Sequence, residues 1–490
     1  MSAGQSDAGR YDEQPPHDLV GIGFGPANLA LAIAIEEHNA RRGPDGALRT
    51  AFTERQPEFG WHQGMLLDGA TMQVSFLKDL ATMRDPGSRF TFLRYLHERG
   101  RLADFINQKS FFPTRVEFHD YFRWCAAMVT DQVRYGREAH AVRAVAADGP
   151  ADTLEVATRP APDASGAASI LRARNIVVGT GLLPRVPEGV TTGAHVWHSR
   201  DLLFRAADLT DRPHRRFVVV GAGQSAAETA EFLHRAFPDA EVCAVFSRYG
   251  YSPADDSPFA NRIFDPAAVD DFYEAPDDVK RALLDYHANT NYAVVDGDLI
   301  EQLYRTVYQE KVAGTERLRI LNTTALTAVE QLPDGARVVL RPLISGEAYT
   351  LDCDAVVLAT GYRPSDPRDL LGPLADECLT DGQGRLVIGR DHRIATTSRV
   401  RAGIYVQGAV TEHSHGITSS LLSTLAVRAG EICDALLLDR AGRDVAADAG
   451  TSRNAASGDS VHRDPASGAP VNGDAVAGAA ASDGLAVPAA

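Results

Sequence analysis

The chain has few cysteines and lacks a paired-cysteine motif. Its 490 residues include five cysteines, scattered along the sequence as Cys125, Cys243, Cys353, Cys378 and Cys433. Without a CxxC pair this spacing indicates neither a redox disulfide nor a zinc site, and we predict buried, reduced thiols. The pair His413 and His415 has no third ligand spaced nearby, so we expect no metal site.

Long apolar runs and basic clusters are also missing. The sequence contains no run of about 18 apolar residues, which is the length needed to span a bilayer. Residues 1–16 also lack the apolar core of a signal peptide. We therefore expect a cytoplasmic protein without a membrane partner. The net charge is −16 at pH 7, and no block of lysine and arginine offsets it, which argues against a nucleic-acid partner.

Aromatic residues are absent from the end of the chain. Residues 439–490 are rich in Ala, Gly, Ser and Asp. Such a composition cannot bury enough apolar surface to offset the entropy of ordering, so we predict a disordered tail. We also expect residues 1–16 to form a flexible N-terminus. The remaining chain is long enough for two or three domains.

Two glycine-rich turns, each between an apolar strand and a helix-like stretch, are the most informative features that are present. In such a turn the first glycine makes the bend, the second lets a pyrophosphate approach the backbone, and the helix N-terminus attracts the phosphates. The turn residues are Gly21, Gly23, Gly25, Pro26 and Asn28 in the first case and Gly221, Ala222, Gly223, Gln224 and Ser225 in the second. One such pattern alone would also suit a structural turn, but two in this context predict two dinucleotide sites.

The strand that follows each turn distinguishes the two ligands. After the first turn the strand-like run from Thr50 ends at Glu54, whose carboxylate suits the hydroxyls of an adenosine ribose. This favours FAD. After the second turn the strand from Glu241 leads to Arg248, where an NAD site would place Asp or Glu. Because an arginine can accommodate a 2′-phosphate, we expect NADPH there.

The order of these motifs predicts an α/β fold with two Rossmann-like dinucleotide-binding domains and a small substrate-binding region between them. Two further apolar strands end in the turns Thr180-Gly181 and Thr360-Gly361, which would carry the chain from one domain to the other. The expected ranges are 17–205 and 351–438 for a discontinuous FAD domain and 206–350 for the NADPH domain, with the substrate-binding segment at about 252–310.

Several longer segments closely resemble the flavin-dependent N-hydroxylating monooxygenases. Within them the chain is most similar to the L-ornithine N(5)-monooxygenases of hydroxamate siderophore biosynthesis, over about residues 17–437. The segments that carry the resemblance are 60–80 (GWHQGMLLDGATMQVSFLKDL), 112–121, 221–228, 255–261, 289–296, 359–362 and 415–423.

The resemblance implies a mechanism. NADPH reduces FAD, O2 adds to give a C(4a)-hydroperoxyflavin, and the distal oxygen passes to the side-chain amine of L-ornithine, giving N(5)-hydroxyornithine. This chemistry requires no nucleophilic side chain, and the sequence has neither a GxSxG nor an HExxH motif. We expect a homo-oligomer, dimer or tetramer, although the sequence does not determine the oligomeric state.

The resemblance also implies roles for residues outside the two turns. Trp61 and His62 would lie near the isoalloxazine, and Gln73 would act in catalysis beside the flavin. Lys78 and Ser420 would bind the substrate carboxylate, and Asn261 and Asn291 would hold its polar groups, with Asn291 also next to the reactive peroxide. Thr418 and Ser419 would contact FAD at the start of an amphipathic helix whose apolar stripe is Leu422, Leu425, Ala429, Ile432 and Leu436.

Other interpretations of these residues stay open. Lys78 would also suit a solvated surface, and asparagines such as Asn261 and Asn291 are common turn formers. A disulfide reductase with two dinucleotides would need a cysteine pair beside the flavin, and the chain has none. A flavin-binding module without turnover is disfavoured by the set Gln73, Lys78 and Arg248. N-hydroxylation of lysine or of a diamine is the nearer alternative, and Lys78 favours a substrate with an α-carboxylate.

Overall fold

The computed structural model describes residues 15–146, 149–209 and 213–456, except for the side chains of Asp45, Asn289, Asn291 and residues 446–456. The chain divides into two units, Met1–Leu438 and Asp439–Ala490. Most of the N-terminal segment 1–16, expected to be flexible, lies outside the described residues. Within the described part of the chain, no helix is both long enough and apolar enough to cross a membrane.

The described residues form seventeen strands. They are β1 (His17–Ile22), β2 (Thr50–Thr53), β3 (Val133–Arg134), β4 (Arg137–Val145), β5 (Thr153–Pro160), β6 (Ser169–Val178), β7 (Leu182–Pro184), β8 (Val196–His198), β9 (Arg216–Val220), β10 (Glu241–Val245), β11 (Leu318–Leu321), β12 (Thr324–Leu332), β13 (Gly335–Pro342), β14 (Tyr349–Cys353), β15 (Ala355–Leu358), β16 (Tyr362–Pro364) and β17 (Gly403–Val406).

The described α-helices number thirteen. They are α1 (Pro26–Arg42), α2 (Phe92–Glu98), α3 (Leu102–Gln108), α4 (Arg115–Met128), α5 (Leu202–Ala207), α6 (Gln224–Ala236), α7 (Pro266–Glu274), α8 (Asp277–Tyr286), α9 (Ala288–Asn291), α10 (Gly297–Ala313), α11 (Arg368–Leu371), α12 (Glu412–His415) and α13 (Leu425–Ala456).

The first glycine turn lies at the carboxyl-terminal end of β1, an inner strand of a seven-stranded sheet. Its strand order is β3-β2-β1-β6-β5-β4, and β17 pairs with the C-terminal part of β6. Strands β1, β2, β3, β6 and β17 are parallel, whereas β4 and β5 form an antiparallel extension. The carboxyl ends of β1 and β2 therefore lie side by side, which brings the first turn next to Glu54.

The second glycine turn belongs to a separate, all-parallel sheet with the order β11-β10-β9-β15-β8. Two parallel sheets, each with a glycine turn that leads into a helix, confirm the predicted α/β class with two Rossmann-like halves. Strands β8 and β15 of this sheet lie outside the range 206–350 that we expected for the NADPH domain. The domain boundaries themselves remain predictions.

Two short strands join the halves. Strands β7 and β16 follow the turns Thr180-Gly181 and Thr360-Gly361, and they pair with each other in antiparallel fashion. The hydroxyl groups of Thr180 and Ser365 are also 2.6 Å apart. Both crossings of the chain between the sheets therefore run next to each other. The antiparallel sheet β12-β13-β14 packs on the second parallel sheet.

Apolar side chains cover both faces of each parallel sheet. On one face of the first sheet, α1 and α4 pack with α13, whose Leu425, Ala429, Ile432 and Leu436 are all buried. This confirms most of the predicted apolar stripe, and Leu422 packs against the same core while partly exposed. All five cysteines are buried and unpaired.

The start of the last helix differs from the prediction. Thr418 and Ser419 lie in a separate 3-10 turn, Ile417–Ser420, and α13 begins only at Leu425. Leu421 has an extended backbone (φ −103°, ψ 164°), which interrupts the helical hydrogen-bond pattern between the two. The helix N-terminus that we expected at Thr418 and Ser419 therefore lies at Leu425 instead. At the other end, residues 439–456 of the expected tail are helical, and 457–490 lie outside the described residues.

Candidate functional site

The first glycine turn is shaped for close backbone approach. Gly23 has φ +80°, and a Cβ atom there would lie 2.5 Å from the carbonyl oxygen of Gly179. Gly25 is the N-cap of α1 and provides no side-chain cap, and open space surrounds the position that its Cβ would take. Pro26 occupies the first helical position, where its missing N–H costs nothing. The helix N-terminus is thus available to an anionic group such as a pyrophosphate.

Asn28 supports this turn from behind. Its side-chain amide donates to the carbonyl oxygens of Gly23 (2.6 Å) and Ile22 (3.3 Å), and its Oδ1 accepts from Gln407 (2.9 Å). Asn28 is 1% exposed. Its observed contacts hold the turn itself, and Gln407 is a partner that the sequence analysis missed.

Glu54 follows β2 directly and lies beside the turn. One carboxylate oxygen accepts from the backbone N–H of Phe24 (2.7 Å) and the other from that of Gln56 (2.8 Å). Each oxygen keeps a further lone pair, so the carboxylate can still accept from ribose hydroxyls. This arrangement fits the adenosine diphosphate part of FAD, because it combines a glycine turn, a helix start that is open to a ligand and an acidic residue at the end of the next strand.

Three residues expected near the flavin ring lie in the segment after β2. Trp61 packs edge-on against Phe122 with ring centroids 5.3 Å apart. His62 adopts a left-handed backbone (φ 47°), and its ring contacts those of Trp61 (5.1 Å) and Tyr362 (5.9 Å). Gln73 is exposed. Tyr362 starts β16, so the segment lies where the chain crosses between the two sheets.

The second turn repeats the geometry of the first. Gly221 has φ +142°, and a Cβ there would lie 2.2 Å from the carbonyl oxygen of Ala359. Gly223 is the N-cap residue of α6, and no side chain of the described residues forms a capping hydrogen bond at the start of this helix. Gln224 donates to Glu228 (2.8 Å) and accepts from the N–H of Asp296 (2.8 Å), so its side chain braces the helix start. Ala222 and Ser225 are partly exposed at this turn.

Arg248 lies beyond the end of β10, exposed, on the same side as this turn. Its Nη1 donates to the carbonyl oxygen of Ala293 (2.7 Å). A Cβ on Gly223 would lie 3.3 Å from the Cα of the same Ala293, which has a left-handed backbone (φ 54°). The expected NADPH residues therefore adjoin the loop that follows Asn291. The side chain of Asn291 lies outside the described residues.

We expect the Arg248→Ala variant to discriminate between the two nicotinamide dinucleotides. Loss of one charge-assisted contact to the 2′-phosphate should cost about 1.5–3 kcal/mol, roughly a 10- to 150-fold rise in the NADPH KM. The NADH KM should stay nearly unchanged, because NADH lacks that phosphate. Steady-state kinetics with both nucleotides test this, with Arg305→Ala on the exposed face of α10 as a control. Equal losses for NADPH and NADH would show that Arg248 does not bind the phosphate.

Lys78 and Asn261 lie on adjoining segments. The Nζ of Lys78 is 5.8 Å from the ring centroid of Phe264, which belongs to the same 3-10 turn, Ala260–Phe264, as Asn261. Burial lowers the pKa of Lys78, and the nearby Asp265 opposes this shift. No carboxylate of the described residues lies within salt-bridge distance of Lys78. Its half-buried ammonium group is thus available to an anionic ligand.

The turn that carries Asn261 packs against the turn Ile417–Ser420. Asn261 Nδ2 donates to the carbonyl oxygen of Asp256 (2.7 Å), which leaves its Oδ1 free of protein partners among the described residues. The side chain of Ser420 is hydrogen-bonded to the hydroxyl oxygen of Tyr292, and that hydroxyl donates its own proton to Glu412. The structure therefore brings Lys78, Asn261 and Ser420 to neighbouring segments, as expected of one substrate site. The sequence analysis missed Tyr292 and Glu412.

A buried ion pair connects the helices of the two sheets. Arg115, at the start of α4, donates to both carboxylate oxygens of Glu228 on α6 at 2.7 and 2.6 Å. Glu228 closes the second glycine motif in the sequence, but no local pattern identifies Arg115 as its partner 113 residues away.

Comparison with known proteins decides the family. The profile described as L-lysine 6-monooxygenase/L-ornithine 5-monooxygenase matches residues 15–364, well over half of the chain. The chain belongs to this family. The L-ornithine N(5)-monooxygenase of Burkholderia cepacia is 44% identical over 406 residues, which cover 81% of this chain and 89% of that protein.

Solved structures agree with this assignment. The ornithine N-hydroxylase of Kutzneria sp. 744, solved with reduced FAD, NADP+ and L-ornithine, is 49% identical with a TM-score of 0.82 and covers 86% of this chain and 99% of that one. The L-lysine 6-monooxygenase of Pseudomonas syringae is 33% identical with a TM-score of 0.75 and covers 86% and 99%. Members of this family thus act on ornithine or on lysine.

Proposed function

We infer that the protein is an FAD- and NADPH-dependent monooxygenase that hydroxylates the side-chain amine of L-ornithine to N(5)-hydroxyornithine. The observation that carries this is the extensive match to ornithine hydroxylases, above all to the Kutzneria enzyme with its FAD, NADP+ and ornithine. The two glycine turns support the assignment of two cofactors, because the helix after each turn starts without a side-chain cap. The balanced reaction consumes the amine, NADPH, a proton and O2 and yields the hydroxylamine, NADP+ and water.

Each part of the chain has a task in this reaction. The first turn and Glu54 would hold FAD, and the second turn and Arg248 would hold NADPH. The bound flavin supplies the redox chemistry by accepting hydride from NADPH and activating O2. Lys78 would pair with the α-carboxylate as a point charge, and Asn261 and Ser420 would hold the same end of the substrate. Gln73 and Asn291 would act next to the reacting amine.

The substrate amine must lose its proton before it can react. The side chain of ornithine is analogous to that of lysine, which has a pKa of about 10.4 in water. Only the neutral amine has the lone pair that accepts oxygen. The site must therefore favour the neutral form, and it must exclude water, since water and stray protons would divert the activated oxygen to H2O2.

We expect ornithine to be hydroxylated in tight coupling to NADPH oxidation and lysine to be hydroxylated poorly. Lys78, Asn261 and Ser420 would fix the amino-acid end, so the extra methylene of lysine would carry its amine past the reactive position. A misplacement of about 1 Å costs on the order of 100-fold in rate. The assay measures NADPH oxidation and hydroxylamine formation in parallel with ornithine, lysine and putrescine.

Each outcome of this assay has a clear meaning. Lysine should stimulate NADPH oxidation more than it yields hydroxylamine, and putrescine, which lacks the carboxylate, should do neither well. Coupled hydroxylation of lysine at a rate matching or exceeding that of ornithine would overturn the ornithine assignment in favour of a lysine hydroxylase. Coupled hydroxylation of putrescine would point to a diamine substrate.

We further propose that the enzyme acts in the cytoplasm as a homo-oligomer, dimer or tetramer, and that its product enters the synthesis of a hydroxamate siderophore. The five buried, unpaired cysteines support a reducing compartment. Size-exclusion chromatography with light scattering measures the oligomeric state directly.

A further inference from the structure

An arginine is buried next to the turn Ile417–Ser420. Arg428 is 4% exposed, and its Nη1 donates to the carbonyl oxygen of Ser419 at 2.9 Å. Ser419 itself is 1% exposed. This carbonyl is the one acceptor that the guanidinium of Arg428 has among the described residues, and its Nε has no partner there.

The position of Arg428 is unfavourable for helix stability alone. Arg428 lies in the first turn of α13, where the helix dipole repels a cation. Burial of a guanidinium also costs free energy unless its hydrogen bonds compensate. Burial lowers the pKa of Arg428 to about 10, so the side chain still carries its charge at neutral pH. A charge kept at this cost points to a role outside the helix.

The surrounding charges leave Arg428 free to hold the turn. Glu431, whose charge opposes the lowering of the Arg428 pKa, is already bound by Arg390 through two hydrogen bonds of 2.8 and 2.9 Å. Arg390 also donates to Asp270 at 2.6 Å and thereby connects α13 with α7. Glu431 therefore balances the charge of Arg428 at a distance, while the direct hydrogen bond of Arg428 goes to Ser419.

Two stacked histidines complete the wall around the turn. The rings of His392 and His415 lie 4.0 Å apart at an angle of 22°. Burial lowers the pKa of His415 to about 2, and burial also depresses the pKa of His392 below its ordinary value, so both rings are neutral at pH 7. They line a small cavity together with Ser419 and Arg428. Neither ring is hydrogen-bonded to the Ser419 carbonyl, since His415 Nε2 faces the carbonyl oxygen of Arg390 (3.2 Å) and the His392 nitrogens have no hydrogen-bond partner in the described part of the chain. Among the described residues, Arg428 is therefore the side chain that holds this carbonyl.

We propose that Arg428 is a positioning residue that holds the turn Ile417–Ser420 in its working conformation. In that conformation Thr418 and Ser419 meet the flavin and Ser420 meets ornithine. The proposal rests on the proposed function, which gives Ser420 its substrate, and on the FAD contacts that the family resemblance implies for Thr418 and Ser419. Arg428 acts through the backbone of Ser419, next to Ser420, so its loss should misplace the substrate. The first glycine turn and Glu54 would still hold FAD, and the second turn and Arg248 would still hold NADPH, so the reaction with NADPH should continue.

The Arg428→Met variant tests this directly. Methionine nearly fills the space of arginine without its donors, and Glu431 keeps its partner Arg390, so we expect the variant to fold and to retain FAD. The KM for ornithine should rise about tenfold or more, as for one lost charge-assisted hydrogen bond, and the yield of hydroxyornithine per NADPH should fall. Flavin reduction by NADPH in stopped flow should stay at the wild-type rate.

Three further variants separate positioning from general stability. Arg428→Lys keeps the charge and one donor, and it should recover part of the ornithine affinity. Arg428→Ala should regain coupling when guanidinium chloride is added below its denaturing range. As a control, Arg84→Ala removes a partly buried arginine from the segment before α2, which pairs with Glu37 and lies against Gly430 of α13. It should leave the ornithine KM and the coupling unchanged.

The results can overturn the proposal without affecting the proposed function. Wild-type KM and coupling in Arg428→Met, with hydroxyornithine formed as in the wild type, would overturn the role of Arg428 alone. If Arg84→Ala lost as much ornithine affinity and coupling as Arg428→Met, Arg428 would have a general structural role instead. The same conclusion would follow if flavin reduction in Arg428→Met slowed as much as hydroxylation. A wild-type enzyme that forms no hydroxyornithine would refute the proposed function itself.

Discussion

The Lys78→Ala variant should lose efficient use of ornithine while it continues to oxidise NADPH. The half-buried ammonium group has no salt-bridge partner among the described residues and lies beside the turn that carries Asn261. Loss of a charge-assisted pair with the α-carboxylate should raise the ornithine KM by roughly 10- to 150-fold. Flavin reduction does not need this charge, so the enzyme should still consume O2 but release it as H2O2 instead of forming hydroxyornithine. Peroxide and hydroxylamine measured in the same reaction give the coupling.

Two variants serve as controls for Lys78. Lys311→Ala removes an exposed lysine near the end of α10 and should change nothing. Lys78→Arg keeps the positive charge and should retain part of the ornithine affinity, although the longer guanidinium fits the site less well. If Lys78→Ala hydroxylates ornithine at normal affinity and with normal coupling, Lys78 does not bind the carboxylate.

The Glu228→Ala variant should lose more stability than any surface substitution. Its carboxylate accepts two hydrogen bonds from Arg115, and the two side chains are only 7% and 15% exposed. Removing it leaves a buried guanidinium unpaired and frees the Gln224 amide as well. We expect the free energy of unfolding to fall by about 3 kcal/mol. Denaturant titration followed by circular dichroism and flavin fluorescence measures this change.

An exposed ion pair provides the comparison for Glu228. Arg94 and Glu98 form an (i, i+4) pair on α2 with side chains 53% and 41% exposed. Such a pair contributes about 0.3–0.5 kcal/mol, so Glu98→Ala should be nearly neutral. A loss of stability in Glu228→Ala no larger than that in Glu98→Ala would contradict a structural role for the buried pair.

Local sequence predicted the parts of the site that depend on neighbouring residues. A glycine with positive φ, a helix that starts directly after it and an acidic or basic residue at the next strand end all lie within about 35 residues of each other. Gly23 and Gly221 indeed have positive φ, and Glu54 follows β2 next to the first turn. The roles of Glu54 and Arg248 toward their ligands remain predictions, as does that of Asn291.

Local sequence did not predict the break between the turn Ile417–Ser420 and the helix α13. The apolar stripe from Leu422 to Leu436 fits one helix, so we extended the helix back to Thr418. The extended backbone of Leu421 separates the turn from α13, and no composition signal marks that break. The turn is instead held by Arg428, whose charge appears unremarkable in a sequence with 49 lysines and arginines.

By itself the sequence determined the α/β class, the two glycine turns and the residues that follow them, because these features follow from backbone conformation and from short spacings along the chain. Only the tertiary structure decided which distant side chains meet. Asn28 is bound by Gln407, 379 residues away, and Arg115 by Glu228, 113 residues away. Such pairs depend on how sheets and helices pack, and a local period of hydrophobic residues carries no information about the partner across that interface.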